Sequence, residues 1–476
     1  MLTHYLEEQL KVSIDLKEYF ERNEKGDSEL FVHMFDGRVA YDHSSKEWYL
    51  WRGQYWELDR KREVFEYAMN GVAAEYLQAA RDLRAQGGEE AVVLSEKYIK
   101  RAKSLLAKKR VDNVLYIVTS DPAIALAGNE WDCSPDLLPV NNGVIDLMTG
   151  LRRDCLPNEY ICIHSPVDWM GADYSCPVWE KTLKEIFGGD TELIAFIQRL
   201  FGYAISGHTT EHKLPIFLGE AGRNGKTTIF ETLKEVLGTD LCISIPTDAL
   251  MDTRRSGEGP QPFLYGLRGK RLAYASESKE GQRINAALIK QLTGGDTLNV
   301  RTLHSKPVMF QPTHKIMLFT NQKPSIPADD QAAWERVLLI PLTMRFVENP
   351  IKPNERLKVD LRNLLRAEYP GILAWLVRGC QAWRQQGLNA PKIVQTATKE
   401  YREEEDIITL FIAETYDRSP GGERQAKLVY QDYIVWANTC GMNPINRTLF
   451  GKRLKLILDS QDRSNLIFYK GIVPKK

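Results

Sequence analysis

The sequence predicts an α/β protein with an α+β N-terminal region, a core of alternating strands and helices, and a small C-terminal module. Three observations carry this expectation. Apolar strand candidates KLPIFLG (Lys213–Gly219), RLAYAS (Arg271–Ser276) and KIMLFT (Lys315–Thr320) alternate with helical segments between residues 213 and 345, the pattern of a layered α/β fold. The first of these strands runs into a glycine-rich stretch, GEAGRNGKTT, and then into a helix candidate at Thr227–Gly238 closed by glycine, a C-cap signal. From residue 407 onward the chain reads helix, helix, late strand.

The elements follow in order. The opening MLTHYLEEQLKVSIDLKEYF is amphipathic and carries acidic residues, unlike a secretory or transit leader. Leu30–Asp59 combines aromatic residues, alternation and Gly turns and is expected to form a small antiparallel sheet. Trp48, Trp51 and Trp56 in it are core residues on the ordinary reading and base-stacking platforms on the sharper one. From Lys61 to about Arg110 the pattern is helical, with a break at Gln86-Gly87-Gly88. Its end, KYIKRAKSLLAKKR (Lys97–Arg110), holds seven basic residues in fourteen, either a solvated helix face or a phosphate-contacting one. Asn142-Gly143 marks a tight turn between apolar residues. The segment leading to Gly207 has apolar residues at helical spacing. Beyond the core, a helical region spans about Leu357 to Gly387, and the acidic Thr398–Asp406 reads as a hinge. Helices at Leu428–Cys440 and Arg447–Leu458 with a strand at Asn465–Ile472 suit a winged-helix-like module. The expected domains are 1–133, 134–212, 213–350, 351–400 and 401–476.

Composition narrows the function classes. At 476 residues the chain is too long for one core. Its 63 basic and 63 acidic side chains balance, so any nucleic-acid-binding surface has to be local rather than a general basic coat. Seven scattered cysteines include no C-x-x-C pair, which argues against zinc ligation and a disulfide framework. No apolar run approaches the ~18 residues of a membrane span, and the expected location is the cytoplasm.

The glycine-rich stretch is the strongest chemical signal. Strand, glycine-rich turn, then Lys226-Thr227 at a helix start is the context of a phosphate-binding loop. Backbone N–H groups at a helix N-terminus attract anions. Gly222 and Gly225 let the backbone curl close to phosphate. Gly219, Arg223, Asn224 and Thr228 complete the loop, Lys226 brings a point charge to β/γ phosphates, and Thr227 offers a hydroxyl to Mg²⁺. Five residues separate Gly219 from Gly225 where the usual pattern has four, but GRNGKT, the half nearer the phosphates, is intact.

Three later segments could complete a hydrolytic site. Glu277, at the end of an apolar strand, suits a water-polarising or Mg²⁺-holding carboxylate, or a solvated loop acid. Asn321 ends a second apolar strand, where an amide can sense a γ-phosphate. Arg336 precedes a third, as an arginine finger or a surface ion-pair member.

Taken together, GRNGKT, SES (Ser276–Ser278), KQLTGGD (Lys290–Asp296), TNQKP (Thr320–Pro324) and WERV (Trp334–Val337) resemble, in order and spacing, the superfamily 3 helicases of phages, plasmids and large DNA viruses. The likeness is greatest to the helicase portion of satellite-phage and poxvirus-type primase-helicases. NNGVIDL (Asn141–Leu147) and WYLWRGQYWELD (Trp48–Asp59) resemble that group's region ahead of the helicase core, and its loops often have the G-x-x-G-R-N-G-K form seen at Gly219, Gly222 and Gly225. The resemblance implies an AAA+-like P-loop ATPase core, with ATP and Mg²⁺ as ligands and a DNA-stimulated motor as the activity. It implies phosphate and Mg²⁺ binding by Lys226 and Thr227, a Walker B acid at Glu277, a sensor at Asn321, and a finger at Arg336 completing the neighbouring subunit's site in a ring, expected to be a hexamer. It also implies a pore hairpin after Asp296 with its tip near His304, Ser305 and Lys306, and places Lys290 and Arg301 as basic residues for nucleotide or DNA. No D-x-D carboxylate pair occurs in the first 210 residues, so the expectation is a motor without a primase centre, served by a separate primase or origin-binding protein. The rival expectations are an origin-melting initiator and a DNA-binding scaffold whose nucleotide only locks assembly.

Overall fold

The computed structural model describes residues 15–252, 262–276, 282–300, 308–326, 330–463 and 466–475. It divides into two compact units: the residues up to Asp132 together with Cys155–Cys162, and Cys133–Asp154 together with Ile163 onward.

In the first unit, helix α1 (Asn23–Phe35) precedes strands β1 (Val39–Asp42), β2 (Glu47–Trp51) and β3 (Trp56–Leu58). These pair antiparallel, and β4 (Ala125–Leu126) joins β1 in parallel. The sheet expected from Leu30 therefore begins at Val39. Leu30, Phe31 and Phe35 belong to α1, where they share one buried helical face. Trp56 is 2% exposed and its Nε1–H donates to Pro157 O at 2.8 Å. Trp51 packs on it, and Trp48 packs on Tyr41, contacts that favour the core reading of the tryptophans. Helices α2 (Ala73–Gln86), α3 (Glu89–Leu105) and α4 (Lys108–Val118) follow, α2 and α3 being separated at Gly87-Gly88, both with left-handed φ. The fully buried Asp27 carboxylate accepts from Arg101 Nη1 (2.9 Å), Arg110 Nε (2.9 Å) and Tyr76 OH (2.8 Å), which offsets the cost of burying its charge.

The second unit opens with a hairpin, β5 (Leu137–Val140) to β6 (Gly143–Asp146), extended by β7 (Leu151–Arg153). Helices α5 (Pro177–Ile186) and α6 (Thr191–Ile205) come next, the latter capped by the Asp190 carboxylate on Leu193 N–H. Then come β8 (Leu214–Leu218), α7 (Lys226–Leu241), β9 (Cys242–Ser244), β10 (Leu272–Ser276), α8 (Ala286–Thr293), β11 (Leu298–Val300), β12 (Val308–Phe310), β13 (Lys315–Thr320) and β14 (Val337–Pro341). The helical backbone of α7 breaks at Gly238 (φ 72°, ψ 173°), where the sequence expects it to close, and a further turn carries the segment to Leu241.

Strands β8, β9, β10, β13 and β14 form one all-parallel sheet in the order β14-β8-β13-β10-β9. Counted along the sheet's own chain order this is 5-1-4-3-2. Both faces are covered. Ile316 and Leu318 of β13 pack with Ile216, Ala273 and Leu339. Met317 and Phe319 pack on the other side with Phe217, Tyr274 and Ile340. This two-sided burial explains the unbroken apolar runs in the sequence, each such side chain contributing roughly 1.5–3 kcal/mol. Strands β11 and β12 form a separate antiparallel ribbon with Leu298 opposite Phe310.

Two short strands, β15 (Arg345–Val347) and β16 (Glu355–Leu357), pair in parallel. Helix α9 (Tyr369–Gln386) lies on α6 at glycine contacts: a Cβ on Gly202 would sit 2.1 Å from Cys380 N. The acidic stretch expected as a hinge is instead part of an unbroken helix, α10 (Lys392–Thr415). Tyr401 is buried there against Trp334, and Glu404 pairs with Lys323 (2.7 Å) and Arg453 (2.9 Å), so this carboxylate is anchored while Lys399 and Glu403 stay exposed. Strand β17 (Tyr416–Gln425), helices α11 (Ala426–Thr439) and α12 (Arg447–Ile457), and strands β18 (Ser460–Arg463) and β19 (Leu466–Pro474) complete the chain around Phe411, Tyr433, Phe450 and Tyr469. Their sheet order is β17-β19-β18. Among the described residues no helix is long and apolar enough to cross a membrane.

Candidate functional site

The site forms where β8 and β13 end side by side. Gly219 N–H donates to Thr320 O at 3.0 Å, which places the glycine-rich loop against the residue that follows β13, Asn321. The loop turns at once, with Gly222 N–H donating to Gly219 O at 3.2 Å. The residue beyond the usual spacing is thus taken up in a turn ahead of GRNGKT. Gly222, Arg223 and Gly225 all have left-handed φ, at 65°, 52° and 81°. Gly225 caps α7, and a Cβ there would sit 2.6 Å from Ile186 Cγ1. Glycine is therefore required on two counts. Arg223, with a side chain in a conformation that disfavours one, is held by Phe346 N–H donating to its carbonyl at 2.8 Å.

Lys226, the first residue of α7, turns back across the loop. Its Nζ donates to Asn321 Oδ1 at 2.6 Å and to Gly219 O at 3.0 Å, with Asn224 Oδ1 at 3.5 Å. A Cβ on Gly219 would lie 2.4 Å from that Nζ, so only glycine leaves the ammonium room. Lys226 forms no ion pair with a described carboxylate, and burial pushes its pKa down to about 8. An ammonium held by neutral oxygens in a desolvated position is primed for an anion. Asn224 is 2% exposed and its Nδ2 donates to Leu342 O (3.2 Å) and Met344 O (2.7 Å). It fastens the loop to the exit of β14 instead of facing outward.

Above the loop lies a cavity of about 460 Å³, within the usual range for small-molecule sites. Residues Gly222 to Thr228 form its floor and Ser276, Thr320 and Asn321 its strand-end wall. Thr227 is exposed and Thr228 half-buried at the open helix end. The remaining wall comes from outside the glycine-rich stretch: an apolar part from Ile186 of α5, Phe346, Leu357, Val359 and Leu361, and the polar Thr182, Glu185 and Lys358. Sequence reasoning missed these residues. No motif marks them, because a hydrophobic wall needs only shape.

The other expected residues fall elsewhere. Arg336 precedes β14, whose first residue pairs with the first of β8. It lies at the opposite edge of the sheet from the loop, roughly 16 Å along the strands by the usual rise per residue. Its guanidinium donates to Thr293 Oγ1 (3.1 Å) and Ala332 O (2.6 Å) and forms no ion pair with a described carboxylate. Lys290, by contrast, is held by Asp330 at 2.7 Å, and that pairing lowers the Asp330 pKa. The β11–β12 ribbon occupies the segment after Asp296, but its tip, with Arg301, His304 and Lys306, lies outside the described residues, as does Glu277. Among the described residues no three His, Cys, Asp or Glu side chains gather as a metal cage. Oxygen-bearing side chains lining the cavity include Thr182, Glu185, Thr227, Thr228 and Ser276.

Residues 28–188 match a family model described as D5 N terminal like, and residues 217–336 match a family described as of unknown function (DUF5906). The chain is similar to "Putative helicase L207/L206" of Acanthamoeba polyphaga mimivirus, with 26% identity over 82% of this chain and 43% of that protein. It is similar to "Putative helicase 184R" of Invertebrate iridescent virus 6 at 26% over 70% of this chain and 38% of that protein. With "Putative primase C962R" of African swine fever virus it shares 23% over 65% and 34%. The chain thus spans less than half the length of these relatives. A solved structure, the apo NrS-1 C terminal region, is 11% identical, covers 95% of this chain and 100% of that one, and has a TM-score of 0.46, a likeness too loose to assign a role. These matches support a primase-helicase family of the kind represented in large DNA viruses, and the superfamily 3 resemblance of the chain's motifs fits them.

Proposed function

We propose that this chain is an ATP-dependent DNA helicase or translocase serving replication of a phage, plasmid or other mobile element. The observation that carries the reading is the Lys226 ammonium, which forms no ion pair with a described carboxylate and is held by Asn321 and Gly219 at the mouth of a cavity on the carboxyl edge of a parallel sheet. The 5-1-4-3-2 strand order and the helix that starts on the loop support an AAA+-like P-loop core. In this reading nucleotide phosphates replace Asn321 and Gly219 O as partners of Lys226. The Thr227 hydroxyl holds Mg²⁺, which neutralises charge on the phosphates. Asn321, freed from Lys226, orients water at the γ-phosphate. Phe346 and the apolar wall receive the base.

Arg336 lies too far from its own loop to act there, which supports action in trans within a ring, most simply a hexamer. The β11–β12 ribbon then carries the DNA-contacting tip. The experiment is strand displacement on a forked duplex with ATP and Mg²⁺, beside Lys226→Ala. Unwinding lost in that variant supports the motor.

A second reading is an initiator that melts an origin. The order helix, strand, two helices, two strands at the C-terminus, with sheet order β17-β19-β18, supports a winged-helix-like module that would bind duplex there. DNA-stimulated hydrolysis without strand displacement selects this reading. No hydrolysis at all selects a nucleotide-locked scaffold.

A further inference from the structure

We propose that the corner between α3 and α4 in the first unit is a second nucleic-acid surface, one that takes the backbone of a single strand. Charge in this region is strongly segregated. Residues 15–132 carry 22 acidic and 18 basic side chains, yet residues 97–110 hold seven basic and no acidic ones. Two of the seven, Arg101 and Arg110, are withdrawn onto buried Asp27, and Arg101 also covers the Phe20 ring at 4.5 Å. These contacts tie α3 and α4 to α1, so the corner is a fixed platform.

The other five, Lys97, Lys100, Lys103, Lys108 and Lys109, are exposed, and none forms an ion pair with a described residue. By helical spacing Lys97, Lys100 and Lys103 share one arc of α3. Lys108 and Lys109 share an arc of α4 with Tyr116 and with Asp112, the one acidic residue on that face. Tyr116 is 79% exposed and Leu106, at the corner itself, 58%. Lysines that form no ion pair with a described residue, on an otherwise acidic unit, fit a polyanion. An exposed tyrosine among them offers a stacking face that unpaired bases present and a closed duplex does not. The surface belongs to the first unit and the Lys226 cavity to the second.

The test is fluorescence anisotropy of a labelled oligothymidylate of about 30 nucleotides, titrated with the full chain without nucleotide. Using the Lys226→Ala background keeps the outcome independent of the motor reading. Lys103→Glu/Lys108→Glu/Lys109→Glu should weaken binding at least tenfold at low salt. It should also make the slope of log affinity against log salt shallower by about 2, since each lost phosphate contact removes about 0.7. The corresponding triple Gln variant should shift the slope equally, which separates lost contacts from misfolding. Tyr116→Ala should weaken binding by fivefold or more with the slope unchanged. Wild-type affinity and slope in both triple variants would overturn the proposal, as would tighter binding of duplex than of single strand through these residues.

Discussion

Strand β13 has a desolvated lysine at each end, and the two lysines differ in what surrounds them. Lys315, its first residue, donates to Ser206 O, Thr313 O (2.8 Å) and His208 O (3.3 Å) and lies over the Tyr203 ring. It is 5% exposed, and burial drives its pKa well below the usual lysine value. Lys226, reaching across the far end, also has only neutral oxygens for partners among the described residues and a lowered pKa, but it opens onto a cavity. The first is a staple, with every donor direction turned to carbonyls of its own unit. The second is a receptor whose strongest partner is still to arrive. Desolvation of a cation is therefore uninformative alone; the access beside it separates architecture from chemistry.

The comparison can be broken at several points. The largest expected effect is from Lys226→Ala, which should abolish ATP turnover without lowering the Tm. A lysine whose folded pKa is depressed costs stability while charged, and removing it relieves that cost. Arg336→Ala should lower turnover by about 10³-fold or more, as loss of an arginine finger does, with nucleotide binding retained. Mixing it with Lys226→Ala should restore part of the activity if the arginine acts in trans. Asn321→Asp should weaken nucleotide binding about tenfold in calorimetry, because a carboxylate would hold Lys226 and repel phosphate. Lys315→Met should leave nucleotide affinity unchanged, while its stability in denaturant titration sets the buried carbonyls left without a donor, about 1–3 kcal/mol, against the relieved cost of a desolvated charge. The smallest effect is on pH dependence. Free Lys226 loses its proton as pH rises through about 8, whereas bound phosphate would keep it charged. Affinity should fall progressively above pH 8, with proton uptake on binding.

The sequence made the receptor more legible than the staple. GRNGKT and the Asn after KIMLFT are local signals, since a loop that wraps phosphate needs glycine at defined places and a cation at a helix start. The parallel strands could be read because burial on both faces leaves unbroken apolar runs. Lys315 could not be assigned in this way, since its partners lie at Ser206, His208 and Thr313 and only the fold brings the first two to it. The apolar cavity wall was hidden for the same reason. Thr398–Asp406 looked solvated because its anchors, Lys323 and Arg453, are distant in sequence. The edge strand β17 was missed because Ser419-Pro420-Gly421-Gly422 reads as a turn. The structure absorbs it as a register shift between Arg418 and Glu423, an arrangement an edge strand tolerates.

The most direct test is calorimetric titration of a slowly hydrolysed ATP analogue with Mg²⁺ into the native chain, Lys226→Ala and Lys315→Met. The account predicts equal binding by the native chain and Lys315→Met and none by Lys226→Ala. Native-like affinity in Lys226→Ala would contradict it, because the cavity would then not depend on the cation that faces it.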